Sequence, residues 1–85
     1  MASYSVLIKP SAVKELEALP RKDRLRITEK IRALATNPRP AGSEKLSAQE
    51  QHRLRQGRYR IVYSIADKEQ AVVVVKIAHR KEAYR

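Results

Sequence analysis

The sequence contains no cysteine, so neither a disulfide framework nor a thiolate metal site is available to the fold. The two histidines, His52 and His79, lie far apart without the spacing of metal ligands, and we expect no metal and no other cofactor. No apolar run approaches the ~20 residues of a membrane span, and the opening MASYSVLIKP has no signal-peptide pattern. We therefore expect a cytoplasmic protein that makes no membrane contact.

Acidic residues are also scarce. Nine Asp and Glu stand against nineteen Lys and Arg, which gives a formal net charge of +10 in 85 residues. A domain this small and this basic favours a polyanionic partner, with nucleic acid as the first candidate. A merely solubilising surface is the alternative. The length allows one domain with one modest core, so we predict that residues 1–85 form a single domain.

The first half of the chain predicts a strand followed by two helices. Residues 4–8 have the pattern of a strand, and Pro10 then opens a helix, since proline is tolerated in the first turn. Pro20 ends this helix and begins a second one, which is predicted to run to about residue 36. The apolar stripes of the two helices are Ala12, Leu16 and Leu19, and Ile27, Ile31, Leu34 and Ala35. Leu25 points away from its stripe, either as an exposed apolar residue or as part of a partner-binding surface.

The second half predicts three strands. Residues 53–55 and 58–65 flank a turn at Gln56 and Gly57, and the valine-rich residues 71–78 follow a polar turn. The order strand, helix, helix, strand, strand, strand predicts an α+β domain. In this fold class an N-terminal strand leads into a two-helix hairpin that packs on a largely antiparallel β-sheet.

Alternation along the predicted strands separates the charged residues from the apolar ones. One side of the sheet is expected to carry Tyr59, Ile61, Tyr63, Ile65, Val73, Val75 and Ile77. The other side is expected to carry Arg53, Arg55, Arg58, Arg60, Lys76 and Arg80. A cationic sheet face that no helix covers is suited to track a phosphate backbone.

Metal-free cleavage of RNA needs a base for the 2′-hydroxyl, positive charge at the phosphate and an acid for the leaving 5′-oxygen. Arginine suits the second task, because it is always charged and its fork matches phosphate geometry. Arg60 is our candidate, and the alternative is an ion pair with an acidic neighbour such as Glu69 or Glu82. Arginine is a poor base. The base candidates are Tyr84, Lys45, Lys76 and His79. By strict alternation, His79 falls on the apolar side, where a structural role is expected.

Segments spread over nearly the whole chain together resemble the RelE/ParE toxin superfamily. They are YSVLI at 4–8 with KEL at 14–16, NPRP at 37–40 with KL at 45–46, RLR at 53–55 with GRYRIVY at 57–63, and HR at 79–80 with YR at 84–85. None of these pieces is specific alone, but their order and spacing are. The resemblance implies the RelE-like fold, in agreement with the order of elements predicted above.

RelE-like members cleave mRNA in the ribosomal A site without a metal and leave a 2′,3′-cyclic phosphate, so the resemblance implies a translation-inhibiting endoribonuclease. Arg60 matches the family arginine that contacts the scissile phosphate. Arg80 matches an arginine that stabilises charge or acts as the acid, and Tyr84 matches the C-terminal tyrosine. Arg53 and Arg55 match a basic strand that includes lysines in other members. The absence of lysine from this strand leaves the base open. Arg58, Lys45 and Lys76 are further candidates for RNA binding.

The resemblance also implies two partners: mRNA on the ribosome, and a cognate antitoxin that wraps and neutralises the toxin in a hetero-oligomer. Two other functions stay open. ParE-like members share the fold and poison DNA gyrase by protein–protein contact, and an inactive member would be a basic binding module without catalysis. The presence of Arg60, Arg80 and Tyr84 together favours the ribonuclease.

Overall fold

The chain folds into two helices and five strands, and the computed structural model describes residues 3–46 and 51–79. The elements are β1 (Ser5–Ile8), α1 (Pro10–Glu17), α2 (Arg21–Ala33), β2 (Glu44–Leu46), β3 (Gln51–Gln56), β4 (Tyr59–Ala66) and β5 (Ala71–His79). The predicted α+β class is confirmed, and the six predicted elements occur in the predicted order. The sequence did not predict β2, and α2 ends earlier than expected.

The five strands form one sheet in the order β1-β5-β4-β3-β2. β1 pairs with β5 in parallel, and every other neighbouring pair is antiparallel. The prediction of a largely antiparallel sheet is therefore confirmed. Antiparallel neighbours can be joined by tight turns, whereas the parallel pair needs a long connection, and the helical hairpin lies within it.

Both helices begin at prolines and bury one side. Pro10 occupies the first turn of α1, where a missing N–H costs nothing, and Pro20 is the N-cap residue of α2. Ile27 and Leu34 are fully buried, and Ile31 retains only 4% exposure. Their spacing of three to four residues places them on one face of the helical segment, against the sheet.

The core lies between the helices and one side of the sheet. Fully buried residues on this side include Ile61, Tyr63, Val72 and Val74. The Tyr63 hydroxyl donates a hydrogen bond of 2.8 Å to the carbonyl oxygen of Pro38, so its polar end has a partner in the interior. This bond joins the segment after α2 to the centre of the sheet. Burial raises the pKa of Tyr63.

The prediction that Val73 and Val75 face the core is wrong, because β5 contains a bulge. Val62 pairs with Lys76 but Tyr63 pairs with Val74, which leaves Val75 as an extra residue. Val72 and Val74 therefore face the helices before the bulge, as Ile77 does after it. Residues 72–75 are all valine, so the sequence does not distinguish the two sides of the strand here and gives no sign of the bulge.

The edge of β5 beyond β1 is covered by α1. Glu15 of α1 accepts a hydrogen bond of 2.9 Å from the backbone N–H of Ile77, and its other oxygen lies 3.3 Å from Nζ of Lys76. The Glu15 carboxylate thus accepts the hydrogen bond that a carbonyl oxygen of a neighbouring strand would otherwise accept from this N–H.

Three side chains join the residue before β1, the segment after α2 and the β4–β5 turn. Asp67 accepts a hydrogen bond of 2.8 Å from the Tyr4 hydroxyl, and bonds of 2.9 and 3.3 Å from the two terminal nitrogens of Arg39. The hydrogen bond from Arg39, followed by that from Tyr4, lowers the pKa of Asp67. The bond to Asp67 in turn raises the pKa of Tyr4.

Candidate nucleic-acid interface

Four of the predicted cations share the side of the sheet that faces away from the helices. Arg53 is in register with Val62, which pairs with Lys76, and Arg55 is in register with Arg60. Residues paired across neighbouring strands point to the same side. We call Arg53, Arg55, Arg60 and Lys76 the basic sheet face, and their predicted grouping is confirmed.

Arg55 and Arg60 are directly opposite each other on β3 and β4. Like charges in this position repel each other, so an anion beside them is favoured. The two side chains lie at different depths: Arg55 is exposed, whereas Arg60 retains 5% exposure and donates a weak bond of 3.4 Å from Nη1 to the carbonyl oxygen of Tyr59. Strand alternation predicted the side on which Arg60 lies, but it carries no information about depth.

Two cations of the basic sheet face have acidic partners that the sequence did not reveal. Arg53 lies 3.0 Å from Glu44, and Lys76 lies 3.3 Å from Glu15. The carboxylates come from β2 and α1, and only the folded topology brings them to these cations. The Glu44 side chain is 55% exposed. The Arg53 side chain is only 12% exposed, so the pair joins a nearly buried cation to an exposed carboxylate.

The suggested alternative pairing of Arg60 with Glu69 is wrong. Glu69 lies in the turn beyond β4, and Arg60 is the second residue of that strand. At about 3.3 Å per residue the strand separates them by roughly 20 Å. The other suggested partner, Glu82, lies outside the described residues.

Arg58 and Lys45 do not join the basic sheet face. β4 begins at Tyr59, so Arg58 belongs to the preceding turn and its expected place on that face is wrong. Lys45 is in register with His52, which pairs with Tyr63, and it therefore belongs to the helix-facing side of the edge strand β2. Its side chain is exposed there.

A cleft of about 580 Å³ opens on the helix-facing side, at the end of the sheet formed by the β3–β4 turn. We call it the helix-side cleft. Its lining includes Lys22, Asp23, Arg26, Arg58, Tyr59 and His79. The sequence does not indicate this grouping, because the residues come from α2, a turn and two strands. The spacing of Lys22 and Arg26, which puts both on one side of a helix, was the available signal.

His79 lies in this cleft beside Tyr59. The two residues are in register, and their rings meet edge to face with 5.8 Å between centroids. The expected placement of His79 on the apolar side of the sheet is confirmed. His52 likewise stacks on Tyr63, with ring centroids 5.6 Å apart.

Arg80 and Tyr84, the other two predicted catalytic residues, lie outside the described residues, and their roles stay predictions. Among residues 3–46 and 51–79, no group of three or more His, Cys, Asp or Glu side chains is placed to hold a metal ion. In the same part of the chain, no helix has the length and apolar character needed to span a membrane.

Solved structures of RelE-type toxin–antitoxin complexes contain the same architecture. A chain of the archaeal RelE–RelB complex from Pyrococcus horikoshii OT3 superposes with a TM-score of 0.85 at 29% identity, over 94% of this chain and 98% of that one. A chain of the RelBE2 complex from Mycobacterium tuberculosis gives a TM-score of 0.81 at 26% identity, over 92% and 99%. The fold class is therefore that of the RelE-like toxins.

Sequence comparison narrows the class to a family. The family described as the ParE toxin of type II toxin–antitoxin systems matches residues 6–84. Toxin RelE of Mycobacterium tuberculosis is 34% identical over 84 residues, which cover 96% of this chain and 87% of that protein. The chain belongs to the ParE toxin family, within the RelE/ParE superfamily, and is a toxin of the type II toxin–antitoxin class. The family resemblance inferred from the sequence is confirmed.

Proposed function

We propose that this toxin inhibits translation as a metal-independent endoribonuclease that cleaves mRNA on the ribosome, in the cytoplasm. The observation that carries the proposal is the cross-strand pair of Arg55 and Arg60. Two arginines opposite each other on one side of the sheet favour an anion beside them, and a pentavalent phosphate is the anion whose charge must be stabilised in RNA cleavage.

The reaction forms one bond and breaks one. The 2′-oxygen attacks the adjacent phosphorus and loses its proton to a base, and the bond from phosphorus to the 5′-oxygen breaks. The leaving 5′-oxygen takes a proton from an acid, so the products are a 2′,3′-cyclic phosphate and a 5′-hydroxyl. Arg60 and Arg55 stabilise the negative charge on the non-bridging oxygens of the pentavalent phosphorus, and Arg80 stabilises charge or serves as the acid. Because Arg60 is 5% exposed, neighbouring side chains must rearrange when the phosphate enters.

The structure bears on the choice of base. Lys45 and His79 belong to the helix-facing side of the sheet, away from the Arg55–Arg60 pair. Lys76 is on the basic sheet face, and its partly exposed ion pair of 3.3 Å with Glu15 does not exclude it. We assign the role of base to Tyr84, with Lys76 as the alternative.

The proposed partners are a cognate antitoxin and ribosome-bound mRNA. The related chains from Pyrococcus horikoshii and Mycobacterium tuberculosis come from complexes of toxin with antitoxin, and we infer a similar hetero-oligomer here. Leu25, which is 54% exposed on α2, is a proposed contact for the antitoxin. Slower amide hydrogen exchange around Leu25 in the complex is expected, and unchanged exchange there contradicts this contact.

The test is expression of the chain without antitoxin in a bacterial host, followed by mapping of mRNA 5′ ends. Wild type is compared with Arg60→Gln, Arg80→Ala and Tyr84→Phe, and Lys68→Gln in the β4–β5 turn is the control. Discrete cuts inside translated codons are expected for wild type and the control, with loss of the cuts and of toxicity in the other three variants.

A second candidate is gyrase poisoning, which the match to the ParE toxin family favours. Growth arrest with intact mRNA and a DNA-damage response would move the function to that class. Neither arrest nor cleavage would leave a basic binding module, which is the remaining alternative.

A further inference from the structure

We propose that the helix-side cleft is a second RNA site, which holds the phosphate and base of a nucleotide that flanks the cleaved bond. The inference rests on the proposed action on RNA and adds a subsite on the opposite side of the sheet from the basic sheet face.

Positive charge from separate elements converges on this cleft. Lys22 and Arg26 come from adjacent turns of α2, and Arg58 comes from the β3–β4 turn. Asp23 is the one carboxylate among the described residues that line it. Three cations facing one carboxylate give the cleft a net positive potential, which favours a phosphate.

The cleft also offers aromatic rings. Tyr59 and His79 line it with their rings edge to face, 5.8 Å apart, and both side chains are half-buried. Single-stranded RNA is bound by stacking its bases on such rings while cations track its phosphates. The volume of about 580 Å³ lies within the range typical of sites for small organic groups, about 300–1,000 Å³, and a nucleotide belongs to that size class.

The position of the cleft relative to the basic sheet face supports a single strand that reaches both. Arg58 lines the cleft, and Arg60, two residues further along, lies on the basic sheet face. The tight turn between β3 and β4 depends on Gly57, whose φ of +60° strains any other residue type. A strand of RNA that rounds this end of the sheet meets Arg58 and then Arg60.

The test is the binding of a 2′-O-methyl oligoribonucleotide, which has no 2′-hydroxyl to attack, measured by fluorescence anisotropy at several salt concentrations. Lys22→Gln/Arg26→Gln removes two cations from the cleft. Lys14→Gln/Arg32→Gln removes two exposed helix cations that do not line it and is the charge-matched control. We expect roughly tenfold weaker binding for the cleft variant. The slope of log affinity against log salt is expected to fall by about 0.7, the value for one lost phosphate contact on a single strand.

The control is expected to bind within about twofold of wild type, because charges far from the bound strand are screened. Equal losses in both double variants would mean general attraction to a basic protein, and no loss in the cleft variant would mean that RNA does not enter the cleft. Either result overturns the proposal. Arg58→Gln is an independent check from the turn and is expected to weaken binding in the same direction.

Two further results distinguish RNA binding in the cleft from protein docking there and from the endoribonuclease proposal. If the cleft variant binds RNA normally but binds the antitoxin more weakly, the cleft is a protein-docking site and the RNA assignment is wrong. If wild type does not cleave mRNA in cells but its RNA binding depends on Lys22 and Arg26, the endoribonuclease proposal and the placement beside a cleaved bond both fail, and only RNA binding in the cleft stands.

Discussion

The two sides of the sheet are built from the same strands but differ in almost every physical property. On the helix-facing side, Ile61, Tyr63, Val72 and Val74 are fully buried. On the basic sheet face, Arg55 is exposed, and Arg53 has an acidic partner that is itself exposed. The difference indicates that stability resides mainly on the helix-facing side, because buried apolar area contributes more than exposed ion pairs. On the opposite side, the exposed cations Arg55 and Lys76 are available to a ligand, whereas Arg60 is buried.

The bulge at Val75 maintains this division. Without it, the residues that follow in β5 would exchange sides, and Lys76 would point into the core. With the bulge, Ile77 packs against the helices and Lys76 stays on the basic sheet face.

The largest expected contrast between the two sides is in stability. Ile61→Ala should lower the free energy of unfolding by about 2–5 kcal/mol, because it opens a cavity in the core. Arg55→Ala, on the other side of the same sheet, should change it by less than about 0.5 kcal/mol. Urea unfolding measures both, and effects of equal size would contradict the division of roles.

For RNA affinity, the larger effect is expected from substitutions on the basic sheet face. Arg55→Gln should weaken binding of the 2′-O-methyl oligonucleotide by roughly tenfold, about 1.4 kcal/mol, because one of two adjacent guanidinium groups is lost. Its stability should stay constant or rise slightly, since a like-charge pair is removed. Lys68→Gln makes the same charge change in a distant turn and should bind almost normally. A similar loss of affinity in Arg55→Gln and Lys68→Gln would show that binding depends on the net charge of the protein and not on Arg55.

A smaller effect is expected for the one hydroxyl at the centre of the helix-facing side. Tyr63→Phe removes the bond to the Pro38 carbonyl and should destabilise the fold by about 1 kcal/mol in urea unfolding. Tyr59→Phe, in the cleft, is the matched control and should be nearly neutral. Unchanged stability of Tyr63→Phe would show that this hydrogen bond does not contribute to the fold.

The smallest expected effect is the acid dependence of the contacts to Asp67. Its folded pKa lies below the unfolded value of about 3.8, mainly because Arg39 donates to it. The contribution is therefore present above pH ~4 and is lost as the pH falls through the folded pKa. The difference in melting temperature between wild type and Asp67→Asn should narrow as the pH falls from about 5 to 3. A difference that stays constant over this range would contradict the assignment, and Arg39→Gln is expected to reduce the pH dependence.

The sequence predicts the elements well where one local rule decides them. Pro10 and Pro20 set the helix starts, and alternation in β4 separates Tyr59, Ile61 and Tyr63 from Arg60. The sequence does not predict an element whose structure depends on pairing with a distant segment. β2 has only three residues, two of them charged, and it is a strand because β3 pairs with it.

The same limit applies to the candidate site. The side on which Arg53, Arg55 and Arg60 lie follows from alternation, but the burial of Arg60 and the pairing of Arg53 with Glu44 depend on how several elements pack. The turn at Gly57 also moves Arg58 out of the strand pattern and into the helix-side cleft.

The most direct test of the central claim compares cleavage and stability on the same purified samples. Wild type, Arg60→Gln and Lys68→Gln are incubated with ribosomes that carry a defined mRNA, and their melting temperatures are measured in parallel. We expect Arg60→Gln to slow cleavage by about 10²-fold or more while the protein stays folded at the assay temperature, because a charge that stabilises the transition state is lost. A folded Arg60→Gln protein that cleaves the mRNA as fast as wild type would contradict the proposed role of Arg60.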